Sequence, residues 1–143
     1  MAAAKVLLVD DEVDFCTVLA ERMENRGFQV ETAQSGMEAV ELVKGKAYDA
    51  IVLDLAMPEM DGIETLKALL KINPDLQIIL LTGRATLQKG IEAVKLGAVD
   101  FLEKPADIDA LVGKIKEAQL KRDELFEKRL EDSISEIMKK KSW

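Results

Sequence analysis

No histidine occurs in this chain. That absence excludes a Ser-His-Asp triad, a Cys-His pair and the usual nitrogen-ligated zinc or iron centre, so any metal bound here must be a hard cation held by oxygen. Cysteine is limited to Cys16, which removes a disulfide framework. Its place in an apolar helical pattern reads as a buried thiol. No apolar run approaches the roughly 18 to 20 residues that span a bilayer, and the short apolar stretch near the N-terminus meets acid too early to be a secretory signal. The expectation is a cytoplasmic protein with no membrane contact. With three prolines in the chain there is no Pro-rich linker, and no internal repeat or low-complexity tract interrupts the pattern.

What remains is a globular composition. A chain of 143 residues, 48% hydrophobic and 33% charged, suits one domain with a real core and is too short for two of ordinary size. Charge is uneven: residues 1–119 hold 13 basic and 21 acidic side chains, a net of −8, while 120–143 hold 7 and 6, a net of +1. An acidic body argues against direct nucleic-acid binding, because phosphate contacts supply most of that affinity. The Lys139–Lys141 run reads as a solvated helix end, favourable at the negative pole of the dipole.

Short apolar runs alternate five times with amphipathic segments. The strand candidates are Val6–Val9, Gln29–Thr32, Ala50–Leu53, Gln77–Leu81 and Val99–Leu102, and their successive apolar positions predict burial on both faces of a parallel sheet. Between them, four helical stripes are expected: Phe15, Val18, Leu19 and Met23; Met37, Val40, Leu42 and Val43; Ile63, Leu66, Leu69 and Leu70; Leu87, Ile91, Val94 and Leu96. Ser35 with Glu38 forms a capping box before the second. Gly27, Gly45 and Gly97 stand where helix ends take a left-handed residue. Five such units predict a doubly wound α/β sandwich with right-handed crossovers.

The last helix is expected to open at Asp107 as N-cap and to run past the end of a compact domain. Ile108, Leu111, Ile115 and Ala118 are continued by Leu125, Phe126, Leu130, Ile134 and Ile137, with a phase shift near Phe126 and with Arg122 and Arg129 at would-be core positions. Helical throughout, Asp107 to Lys140 would be about 50 Å long. The outer half is expected to project and to pair with a second copy.

In an open α/β sheet the ligand site lies at the carboxyl ends of the strands. The first strand ends at Asp10, Asp11 and Glu12, the third at Asp54, the fourth at Thr82 and the fifth at Lys104 and Pro105. Carboxylates gathered without a partner repel one another and raise one another's pKa. Mg²⁺ relieves this, with Asp11 and Asp54 as direct ligands and Asp10 at least through water. Glu12 reads as a first-turn acid favoured by the helix dipole rather than a ligand. The other groups suit phosphoryl transfer, in which Asp54 is the nucleophile while Lys104, the Thr82 hydroxyl and the metal stabilise the three oxygens of the transferring group.

The pieces LLVDDE, LDLAMPEMDG, the Thr82 that ends IILLTG, and FLEKP stand in order over about residues 4–120. Together they resemble the receiver domain of two-component response regulators. The resemblance implies a flavodoxin-like (βα)5 sheet of order 2-1-3-4-5, a receiver over 1–120 and a helical extension over 121–143. It implies that Asp54 accepts a phosphoryl group from a histidine of a sensor kinase or phosphotransfer protein, so that the histidine missing here is the partner's. It also implies that the backbone carbonyl of Ala56 completes the metal shell, that Thr82 and Phe101 form the switch, and that the Lys104–Pro105 bond is often cis. Met57 and Pro58 read as loop structure.

Two other readings compete. A haloacid-dehalogenase-type phosphatase also uses an Asp nucleophile and Mg²⁺ but requires a second Asp two residues on, where this chain has Ala56. A phosphorylation-independent scaffold would not need the motif positions, all of which are intact. The domain is therefore expected to catalyse only its own phosphorylation and dephosphorylation. Helix-turn-helix, cyclase and P-loop signatures are absent from these residues, leaving a regulator that docks on a downstream protein or a receiver with its linker helix cut from a longer chain.

Overall fold

The computed structural model describes residues 3–55, 62–83 and 87–140. The chain alternates strand and helix in the order β1 (Lys5–Val9), α1 (Val13–Asn25), β2 (Gln29–Ala33), α2 (Gly36–Gly45), β3 (Ala50–Asp54), α3 (Gly62–Ile72), β4 (Ile78–Thr82), α4 (Leu87–Leu96), β5 (Asp100–Glu103) and α5 (Ile108–Lys140). The strands pair in parallel, as their apolar runs predict, in the order β2-β1-β3-β4-β5 that the resemblance implies.

Strand residues alternate between two cores, which explains the unbroken apolar runs. Leu7, Val9, Ile51, Leu53, Ile78 and Leu80 point to the side covered by α2, α3 and α4, against Ala39, Val43, Leu66, Leu69 and Ala93. Val6, Leu8, Val52, Ile79 and Leu81 point to the other, against Cys16, Leu19 and Met23 of α1 and Leu111, Ile115 and Ala118 of α5. Each fully buried Val, Leu or Ile contributes about 1.5–3 kcal/mol of transfer free energy.

β1 stops at Val9 as expected and begins one residue earlier; the other four strands stop one residue later than expected, and β4 and β5 also begin a residue later. Asp54 and Thr82 are the last residues of β3 and β4, because a polar side chain at the carboxyl end does not prevent the backbone from pairing. Ser35 Oγ accepts from Glu38 N at 3.1 Å, and Glu38 reaches back to Gln34 N. Asp107 caps α5, its Oδ2 accepting from Ala110 N at 3.2 Å. Gly27 and Gly97 have φ of +94° and +123°. Gly45 does not; it is the last residue of α2, and the chain leaves through an extended Lys46.

Three helices are turned relative to their expected stripes. Val18 and Met37 are exposed, with Cys16 and Ala20 in α1 and Gly36 and Ala39 in α2 taking the inner positions. In α4 the buried residues are Gly90 and Ala93, while Ile91, Val94 and Leu96 lie outside. Small residues there let the helix approach the sheet closely, so the large apolar ones are displaced outward.

The first turns of α5 pack on the domain, and the rest projects. Arg122 Nη1 donates to Asp49 Oδ1 at 2.9 Å, and Arg129 grips Asp75. Both acids lie in connections at the amino ends of the strands. Leu125 is half-buried on this side rather than out on the projecting face, whereas Phe126, Leu130, Ile134 and Ile137 are exposed. Among the described residues, no helix is long and apolar enough to cross a membrane.

Candidate functional site

The register of the sheet brings the strand ends to one rim. Val9 lies opposite Leu53 and Ala33, so Asp10, one residue on, is held beside the end of β3, its N–H donating to Ala33 O at 3.0 Å. Asp54 is opposite Leu81, and the Lys104 N–H donates to Thr82 O at 2.6 Å. The Lys104–Pro105 bond is cis.

Oxygens of Asp10, Asp11 and Asp54 all lie within 4.8 Å of one another. Asp10 and Asp54 are buried and Asp11 is half-buried, open towards solvent. Lys104 Nζ stands 3.3 Å from Asp10 Oδ2 and 3.3 Å from Asp54 Oδ1. Asp10 Oδ1 accepts from the Glu12 N–H at 2.9 Å, which is the local role of that turn. Glu12 itself is exposed and lies outside the carboxylate group.

Burial opposes the charge on Lys104, but Asp54 and Asp10 outweigh it, so its pKa is raised. One ammonium does not balance three carboxylates. Among the described residues the donor set is three carboxylates, and it fits a hard divalent cation that keeps several waters. None of the three carboxylates offers the nitrogen or sulfur that zinc or copper would favour.

Thr82 is fully buried, and its Oγ1 has no hydrogen-bond partner. An unsatisfied buried hydroxyl costs about 1–3 kcal/mol, and such groups mark places where a ligand or a rearrangement completes the bonding. Its methyl faces α4, where a Cβ on Gly90 would lie 2.9 Å from Thr82 Cγ2 and 3.3 Å from Phe101 Cγ. Phe101 is half-buried against the same core. Thr82, Gly90 and Phe101 thus share one packing site. Ala56, Met57 and Pro58 lie outside the described residues.

Two contacts were not visible in the sequence. The Phe15 ring, read as part of a helix stripe, sits under Lys104 Nζ at 4.5 Å from its centroid. Gly90 is the close-approach point of α4, signalled only by a glycine amid larger apolar residues. Cys16, by contrast, matches its reading: it is buried, and burial first, with the Asp10 charge, pushes the thiol up to about 11.

The family model described as the response regulator receiver domain matches residues 6–116. The chain is 39% identical over 113 residues to the transcriptional regulatory protein ZraR of Klebsiella oxytoca, covering 79% of this chain and 26% of that protein. A solved response regulator receiver domain protein from Clostridium thermocellum superimposes with a TM-score of 0.82 at 31% identity, over 85% of this chain and 98% of its own. NtrX from Brucella abortus superimposes with a TM-score of 0.78 at 27% identity, over 94% of this chain and 29% of that one. This chain therefore spans about a quarter of the ZraR-type relatives it matches. Phosphorylation on an aspartate is the general function of the matched family, and with the rim geometry, the strand order and the matched span in agreement, the chain belongs to the response-regulator receiver domains.

Proposed function

We propose that Asp54 is the phosphoacceptor and that it takes its phosphoryl group from a phosphohistidine of a sensor kinase or phosphotransfer protein. The observation that carries this is the meeting of Asp10, Asp11 and Asp54 oxygens within 4.8 Å, with Lys104 Nζ 3.3 Å from two of them. Asp11 and Asp54 would hold Mg²⁺ directly, Asp10 through water, and the carbonyl of Ala56 would complete the shell. Bound there, Mg²⁺ supplies charge neutralisation for the carboxylates and for one phosphoryl oxygen.

The chain's own residues do the rest. An Asp54 carboxylate oxygen attacks phosphorus in line, the bond from phosphorus to the imidazole nitrogen breaks, and the imidazole leaves with that electron pair. Lys104 exchanges its carboxylate contacts for a phosphoryl oxygen, which keeps the developing charge stabilised. The partnerless Thr82 hydroxyl donates to another oxygen. That movement empties space beside Gly90, into which Phe101 turns, and the α4–β5–α5 face changes. Hydrolysis of the acyl phosphate resets the domain, so its chemistry is on itself rather than on a turned-over external substrate.

Residues 1–120 would form the receiver unit and 121–143 a linker and dimerisation helix. Support comes from the exposed Phe126, Leu130, Ile134 and Ile137 and from the match to NtrX, a chain more than three times as long, over 94% of this chain. The output is then a further domain or a downstream protein, in the cytoplasm. Labelling with acetyl phosphate tests the acceptor: base-labile label is expected with Mg²⁺, none in excess chelator and none on Asp54→Asn. Full labelling of that variant would refute the assignment.

A further inference from the structure

We propose that Phe15 is a positioning residue for the transfer, its ring holding the Lys104 ammonium at the rim without neutralising it. The inference rests on the assignment of Asp54 as acceptor. Lys104 reaches the site on a flexible four-carbon stem, and its side chain keeps 21% of its exposure. Two of its neighbours, Asp10 and Asp54, are carboxylates at 3.3 Å. Another is the Phe15 ring in the first turn of α1, whose centroid is 4.5 Å from Nζ.

These holds differ in kind. A carboxylate holds an ammonium by cancelling its charge, and Asp10 and Asp54 are the groups whose charge a bound cation would share. Their pull on Lys104 weakens at the step in which the ammonium must meet a phosphoryl oxygen. An aromatic face attracts a cation through its quadrupole, carries no net charge and does not compete for a metal or a phosphate. The ring is itself fixed, half-buried against the core that contains Leu19, Leu111 and Ile115. A flexible cation is thereby kept over the site when its acid partners are occupied, which is the pre-orientation a positioned catalytic group requires.

The test uses a small donor, acetyl phosphate, so that kinase docking does not enter. Phe15→Leu keeps an apolar side chain without a quadrupole and is expected to slow phosphorylation of Asp54 about three- to tenfold. Phe15→Tyr keeps the ring and is expected to retain the rate. Independently of the rate, the Lys104 ε-methylene protons of the parent should be shifted upfield by the ring current. The assignment is made from their loss in Lys104→Ala, and the shift should survive in Phe15→Tyr and vanish in folded Phe15→Leu. Unshifted protons in the parent, or a parent-like rate in Phe15→Leu, overturn the role of Phe15 alone. Label persisting on Asp54→Asn overturns both this role and the acceptor on which it rests.

Discussion

Arg129 reaches back from the projecting part of α5 to Asp75 in the connection between α3 and β4. Its Nη2 is 2.8 Å from Asp75 Oδ1, and its Nε is on the other carboxylate oxygen. With Arg122 on Asp49, this ties the helix to the domain at two points about two turns apart. A planar guanidinium fixes direction as well as distance, so the helix leaves at a set rotation.

That clamp has a pH signature. The Arg129 hydrogen bonds hold the Asp75 carboxyl below its usual range, against a smaller opposing effect of burial. Because the folded pKa is depressed, the contribution is complete above the ordinary carboxylate value near 4 and is lost as pH falls through the folded one. Arg129→Ala at neutral pH should speed amide exchange over residues 123–140. Acidification below about pH 4 should do the same to the parent but add little in the variant. Equal acid sensitivity in both would remove Asp75–Arg129 as the cause.

A paired substitution separates packing from helix propensity. Gly90 and Gly113 both lie inside helices, but a Cβ at Gly90 would be 2.9 Å from Thr82 Cγ2, while one at Gly113 meets nothing within 4 Å. Gly113→Ala should stabilise the domain by about 0.5–1 kcal/mol. Gly90→Ala should destabilise it by about 1–3 kcal/mol, because overpacking outweighs the same gain in propensity. Urea midpoints decide, and a stabilised Gly90→Ala would mean that α4 gives way freely.

The same contrast shows what the sequence could reveal. The parallel sheet and its rim were legible, because runs such as Ile51–Leu53 are apolar on both faces and the acids, Thr82 and Lys104 stand at or just past strand ends, whereas the strand order came only with the family resemblance of the motifs. The inner face of α4 was not, since periodicity weights large side chains, whereas Gly90 and Ala93 are inside because they are small. Arg122 and Arg129 looked like faults in a coiled-coil seam. Their partners stand 73 and 54 residues away, a relation that only the fold supplies.

Removing Lys104 should expose the repulsion it screens. Lys104→Met leaves Asp10 and Asp54 without their shared cation and should cost about 1–3 kcal/mol in metal-free buffer. Asp54→Asn should be neutral or stabilising, as it subtracts a charge from the cluster. Mg²⁺ at about 100 times its Kd should add about 2.7 kcal/mol to the parent, more to Lys104→Met and little to Asp11→Ala. An undiminished Mg²⁺ effect in Asp11→Ala would show that the ion binds elsewhere.

The last prediction concerns what covers the projecting helix. Phe126, Leu130, Ile134 and Ile137 are each more than half exposed, and their spacing of four, four and three closes an eleven-residue repeat, which favours a straight or slightly right-handed pairing over a left-handed coil. Lone helices of this length are marginal in water, and each such side chain buried against a second copy offers about 1.5–3 kcal/mol before the losses of association. With Arg122 and Arg129 turned to the domain, the seam is free of buried charge at those positions. Deleting the tail would also remove the clamp, so the cleaner change is Leu130→Glu with Ile134→Glu, which leaves both arginines in place. Sedimentation at micromolar concentration should give a dimer for the parent and a monomer for the double variant, with unchanged acetyl phosphate labelling in both. A monomeric parent would sink the pairing, and a dimeric double variant would move it to another face.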